Sequence, residues 1–91
     1  MTVECYESSV VAGPGGVMTD EVGVITGEVT VRTEIHGAHV TVSIQYLDAD
    51  EWYKVEGSPL GPSAGQGLGL HQVIVQAVRR GLPDGLAGLR S

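Results

Sequence analysis

With 91 residues, the chain is sized for one compact domain, residues 1–91, and excludes two independent cores. A formal charge of −6 and a pI near 4.7, with Lys54 as the only lysine, exclude nucleic acid as the default partner, because that affinity comes largely from Lys and Arg displacing counterions. Cys5 is the only cysteine, which excludes an internal disulfide, and no Cys/His set stands at zinc-ligand spacing.

The apolar residues are mostly Val (14), with 7 Leu, 4 Ile and no Phe, a composition suited to strands. No signal-peptide pattern and no run of about 20 apolar residues is present, so the expectation is a soluble cytoplasmic protein with no membrane partner. Charge is uneven: residues 1–57 carry ten acidic side chains against Arg32 and Lys54, whereas 58–91 carry Asp84 against Arg79, Arg80 and Arg90. A solvated acidic surface accounts for this, and a basic partner is the functional alternative.

Residues 2–11 read as a first strand, ended by Ala12-Gly13-Pro14-Gly15-Gly16, which reads as a loop. Cys5 alternates with Val3 and is read as a small buried hydrophobe, not a nucleophile, since nothing nearby in the sequence activates it. Val22–Ile25 is an apolar stretch before Gly27. From Glu28 to Ile35 the alternation is clear, with Val29, Val31, Thr33 and Ile35 on one face.

Alternation resumes after His36-Gly37-Ala38-His39, with Val40, Val42, Ile44 and Tyr46 on one face. For the two apolar sets to share a face, paired residue numbers must sum to an odd value, which requires an even loop. A two-residue turn at His36-Gly37, pairing Val31 with Val42, is preferred because Gly suits a tight hairpin. The four-residue loop 36–39, pairing Val31 with Ile44, is the alternative. Across Asp48-Ala49-Asp50-Glu51 the same rule pairs Leu47 with Trp52, Tyr46 with Tyr53 and Ile44 with Val55, completing a meander.

A helix is predicted from about Gly67 to Arg80, with Leu70, Val73, Ile74, Ala77 and Val78 as its apolar stripe. Arg79 and Arg80 suit the negative C-terminal end, Gly81 the left-handed cap, and Pro83 stops continuation. The tail 82–91, with Leu82, Leu86 and Leu89, is read either as flexible or as docking on the domain or on a second subunit. The fold class is therefore α+β: an antiparallel sheet of four or five strands with one C-terminal helix on one face.

Candidate chemistry is sparse. Gly65-Gln66-Gly67-Leu68-Gly69 enters the helix and invites an anion at backbone N–H groups, but matches neither dinucleotide-binding nor P-loop spacing. His36, His39 and His71 are possible metal ligands whose convergence no spacing supports, and Asp48, Asp50 and Glu51 lack the glycine of a calcium loop. The expectation is no cofactor, no metal and no catalytic residue. Trp52 shares a face with Leu47 and Lys54, opposite the helix-covered face, and Trp is enriched at binding hot spots.

Two functions follow as expectations. The first is a non-enzymatic protein-binding or regulatory module that associates with a protein partner or with itself as a homodimer, through the exposed sheet face around Leu47, Trp52 and Lys54. The second is a small-molecule or anion binder, or a small enzyme, with a pocket near the Gly-rich segment 61–69 lined by Tyr46, Tyr53 and His71.

Overall fold

The computed structural model describes residues 3–60 and 67–90. These residues form six strands, β1 (Val3–Val11), β2 (Val17–Thr19), β3 (Gly23–Ile25), β4 (Glu28–His36), β5 (His39–Tyr46) and β6 (Tyr53–Lys54), then helix α1 (Gly67–Arg80) and a 3-10 turn, Gly85–Arg90. Four of the strands make an antiparallel sheet in the order β1-β4-β5-β6, and β2 pairs with β3 in a second, smaller sheet. The α+β class and the single C-terminal helix packed on one face are as expected from the sequence.

The predicted inner face holds for the aliphatic residues of β4 and β5 and for Val55. Val29, Val31, Ile35, Val40, Val42, Ile44 and Val55 are buried on the inner face beneath α1, β2 and the tail, together with Thr33. Both hairpin registers, however, differ from the preferred ones by two residues. Val31 pairs with Ile44 and His36 with His39, so the turn is Gly37-Ala38, not His36-Gly37. Gly37 has a φ of 58°, which matches the glycine-first hairpin turn whose twist suits the strands. Across the next loop Ile44 pairs with Tyr53, not Val55. There Ala49 N–H donates to Tyr46 O and Asp48 takes a φ of 64°, a local turn that ends β5 at Tyr46.

Strand β6 is short because the chain is shared between two neighbours. Val55 N–H donates to Val42 O in β5, while Glu56 N–H donates to Met18 O and Asp20 N–H to Lys54 O, drawing β2 against the other side. Leu60 exchanges two backbone hydrogen bonds with Val40, and Leu82 bonds to Gly16 and Met18. Strand β2 is the element missed in the sequence, hidden behind the glycine run, yet Val17 and Ile25 are fully buried. Val22–Ile25 is thus separate from β4, and the tail docks on its own domain through Leu82 and Leu86, both buried in the same core.

Helix α1 matches its predicted bounds. It buries Leu70, His71, Ile74, Ala77 and Val78, so His71 takes a place in the stripe and Val73 is exposed at its flank. Gly81 caps it with a φ of 103°, and its N–H donates to Ala77 O and Val78 O. A Cβ on Gly81 would overlap the Pro14 carbonyl, so glycine is required there twice over, for its conformation and for close approach.

Candidate functional site

The outer face and free edge of the sheet form one candidate region. The register of β1 against β4 sums to 39, and Ala12 N–H donates to Gly27 O in continuation of it. Closely bonded pairs therefore fall on even-numbered residues of β1, and the N–H and C=O groups of Val3, Cys5, Glu7, Ser9 and Val11 point away from β4. Among the described residues no strand pairs with that edge. Cys5 is exposed, contrary to the buried reading, because odd residues of β1 face outward while Val10 is the buried member.

On the outer face Glu7 lies opposite Arg32, Arg32 opposite Ser43, and Ser43 opposite Lys54. Arg32 Nε donates to Glu7 Oε2 at 3.0 Å, and its guanidinium sits 3.8 Å from the Trp52 ring centroid. Trp52 is thus half-buried under an arginine from two strands away. That contact combines cation–π attraction with the packing of the arginine stem. Lys54 Nζ lies 3.8 Å from Asp20 Oδ2. Leu47 is 43% exposed and Tyr46 40%; both stand at the end of β5, and Tyr46 departs from the buried position its alternation predicts because β5 ends there. Tyr53 is half-buried against the core.

A second region lies under the helix. His71 is 2% exposed; its Nε2 is hydrogen-bonded to Ser8 Oγ at 2.7 Å and its Nδ1 to Thr33 Oγ1 at 2.8 Å. The Tyr6 ring stacks on it at 5.7 Å between centroids, and Tyr6 O–H donates to Glu4 Oε1 at 2.6 Å. Burial lowers the His71 pKa below its usual range, favouring the neutral imidazole. The Tyr6 pKa is raised, chiefly because its hydroxyl proton is held by Glu4. Polar pairing explains how His71, Ser8 and Thr33 occupy core positions without an unsatisfied buried side-chain atom among the described residues.

The expected pocket of Tyr46, Tyr53 and His71 is not assembled: Tyr46 lies exposed at a strand end, whereas His71 is enclosed between α1, β1 and β4. A depression of about 300 Å³ is lined instead by Gly57, Leu60, Leu86 and Ala87. Residues 61–66 of the Gly-rich segment lie outside the described residues. His36 and His39 pair at the hairpin end on the outer face, the opposite face from Thr33 and His71, and no group of three potential metal ligands exists among the described residues. Among those residues, too, no helix is long and apolar enough to cross a membrane. Ser8 and Thr33 were missed as partners of His71; the available signal was a polar residue in each of two apolar rows, Thr33 among Val29, Val31 and Ile35, and His71 three and seven residues before Ile74 and Val78.

No family model matches this chain, and neither a curated protein nor a solved structure is significantly similar to it.

Proposed function

We propose that the chain is a non-enzymatic protein-interaction module that binds by strand addition along β1, with the outer sheet face flanking the contact. One observation carries this reading: β1 is a nine-residue edge strand with Val3 53% and Val11 60% exposed; it contains no Pro or Lys, and of its two charged residues, Glu4 and Glu7, the second is neutralised by Arg32. Native sheets blunt exposed edges with such residues, with bulges or with a covering loop, because unpaired N–H and C=O groups template another strand. The opposite side of the sheet is closed in this way, by β2, Leu60 and Leu82. An extended segment added to β1 gains main-chain hydrogen bonds, while alternate side chains set specificity.

The test compares the intact assembly isolated from source cells for the wild-type chain and for Ser9→Pro, which removes one outward N–H without touching the β1–β4 ladder. The reading expects a stoichiometric assembly, with itself or with another protein, that the variant loses. A bare wild-type chain, or an assembly equally retained by the variant, overturns it.

A second reading is favoured by the 2.7 Å contact of Ser8 Oγ with His71 Nε2, a nucleophile beside a base that burial keeps neutral and Thr33 holds in place. It makes Ser8 an acyl acceptor. Labelling by a fluorophosphonate probe, lost in Ser8→Ala, supports it; an unlabelled wild-type chain removes it.

A further inference from the structure

We infer that the strand occupying the open edge of β1 is β1 of a second copy of this chain, paired antiparallel about a two-fold axis so that residue numbers sum to 16. The inference rests on the strand-addition reading and supplies its partner and register.

The argument begins with which groups are free. The outward N–H and C=O groups belong to odd residues of β1, as the Ala12–Gly27 hydrogen bond and the β1–β4 register require. In two-fold pairing of identical strands each closely bonded pair must join two odd residues, so the sum is even. Sums of 12, 14 and 16 keep most of the strand overlapped.

Side chains decide among them. A sum of 14 sets Glu7 directly opposite the partner's Glu7, and like charges so placed are destabilising. A sum of 12 sets Cys5 opposite the partner's Glu7 and Val3 opposite the partner's Ser9, and it leaves Val10 and Val11 with nothing from the partner's strand.

A sum of 16 avoids the like-charge pair and covers the Val10–Val11 end, leaving Val3 and Glu4 as the two residues beyond the overlap. On the outer face Cys5 meets the partner's Val11 and Glu7 meets the partner's Ser9. On the inner face Tyr6 meets the partner's Val10 and Ser8 meets the partner's Ser8. Apolar side chains oppose apolar ones, and no carboxylate opposes another. Glu7 keeps its own Arg32 at 3.0 Å, so the one carboxylate of the paired stretch is balanced from within each chain, and Glu4, which accepts from Tyr6 O–H, stands beyond it. The two sheets join into one of eight strands, and Val11, exposed in the single chain, gains a neighbour.

The lone cysteine makes the register measurable. Closely bonded residues in antiparallel strands have Cα atoms about 5.5 Å apart, within disulfide reach. In the purified full-length chain the mass by light scattering is expected to be twice the 9.5 kDa of one chain. Under mild oxidation, Val11→Cys is expected to form covalent dimers through Cys5 at least tenfold faster than Ser9→Cys or Glu7→Cys, which report sums of 14 and 12. All three positions are exposed, and circular dichroism checks that each variant is folded. Fastest linkage through position 9 or 7 overturns the register, and a monomeric mass at every concentration overturns the second copy as occupant. A monomer that nevertheless carries a β1-bound protein when isolated from its cells leaves strand addition standing; a chain bare in both settings removes the reading beneath it.

Discussion

The two faces of the sheet solve different problems with the same alternation. Inside, β-branched side chains from β4 and β5 meet Leu70, Ile74, Ala77 and Val78 of α1 and the docked Leu82 and Leu86 in one core, and the polar intruders, Thr33 and His71, satisfy each other. Outside, no layer covers the sheet among the described residues, and the largest aromatic, Trp52, is shielded by a single arginine. The inner face is stabilised by burial and satisfied polar pairing, and beyond the β1 end it is covered by its own helix and tail. The outer face and the β1 edge retain unpaired groups and exposed Val3, Val11 and Leu47. Binding is therefore assigned to the side that contributes least to folding.

Substitutions should separate the two sides by magnitude. Ile74→Ala, at a fully buried position, is expected to cost about 2–5 kcal/mol from lost burial and the cavity left behind, measured by urea unfolding. His71→Ala removes the shared partner of Ser8 and Thr33 and is expected to cost about 1–3 kcal/mol. A smaller loss there would show that the network is better hydrated than its burial implies. Trp52→Ala should cost less than either; its cation–π component is about 0.5–1 kcal/mol at an exposed site. Val11→Lys, which places an edge-protecting charge on β1, is expected to leave stability within about 0.5 kcal/mol while abolishing assembly. If it unfolds the chain instead, the edge belongs to the core and the contrast between the faces fails.

Acid should act on the inner side. The folded-state pKa of His71 is lowered by burial, so the unfolded chain binds the proton first as pH falls. The stabilisation from the neutral imidazole is fully present above the ordinary histidine range and is lost as pH drops through about 6.5 and below. Unfolding free energy measured between pH 8 and 5 should therefore decline for the wild type, and decline less for His71→Asn.

Much of this architecture is legible in the sequence, and the limits have a physical cause. Strand faces follow from alternation, and the parity rule assigned Val29, Val31, Ile35, Val42 and Ile44 to the inner face correctly although both registers were displaced. A slip of two residues returns every side chain to the same face, so alternation cannot detect it; turn chemistry at Gly37 and Asp48 decides. Helix α1 was readable because its stripe and its Gly81 stop agree. Strand β2 was not, since three residues beside a glycine run carry no periodicity. Neither contact of the candidate regions was visible locally: Trp52 is covered by Arg32, 20 residues earlier, and His71 is held by Ser8, 63 residues away. The position of β1 at the edge, on which the functional reading depends, is a property of strand order, about which alternation says nothing.

Residue-resolved amide exchange along β1, in the assembled protein and in Val11→Lys, tests the central claim most directly. The account predicts that in the assembled wild type the amides of Cys5, Glu7 and Ser9 are protected like those of Tyr6 and Ser8, and that in the variant only the even-numbered amides stay protected. Free exchange at Cys5, Glu7 and Ser9 in the assembled wild type would show that β1 is a bare edge and that assembly proceeds through another surface.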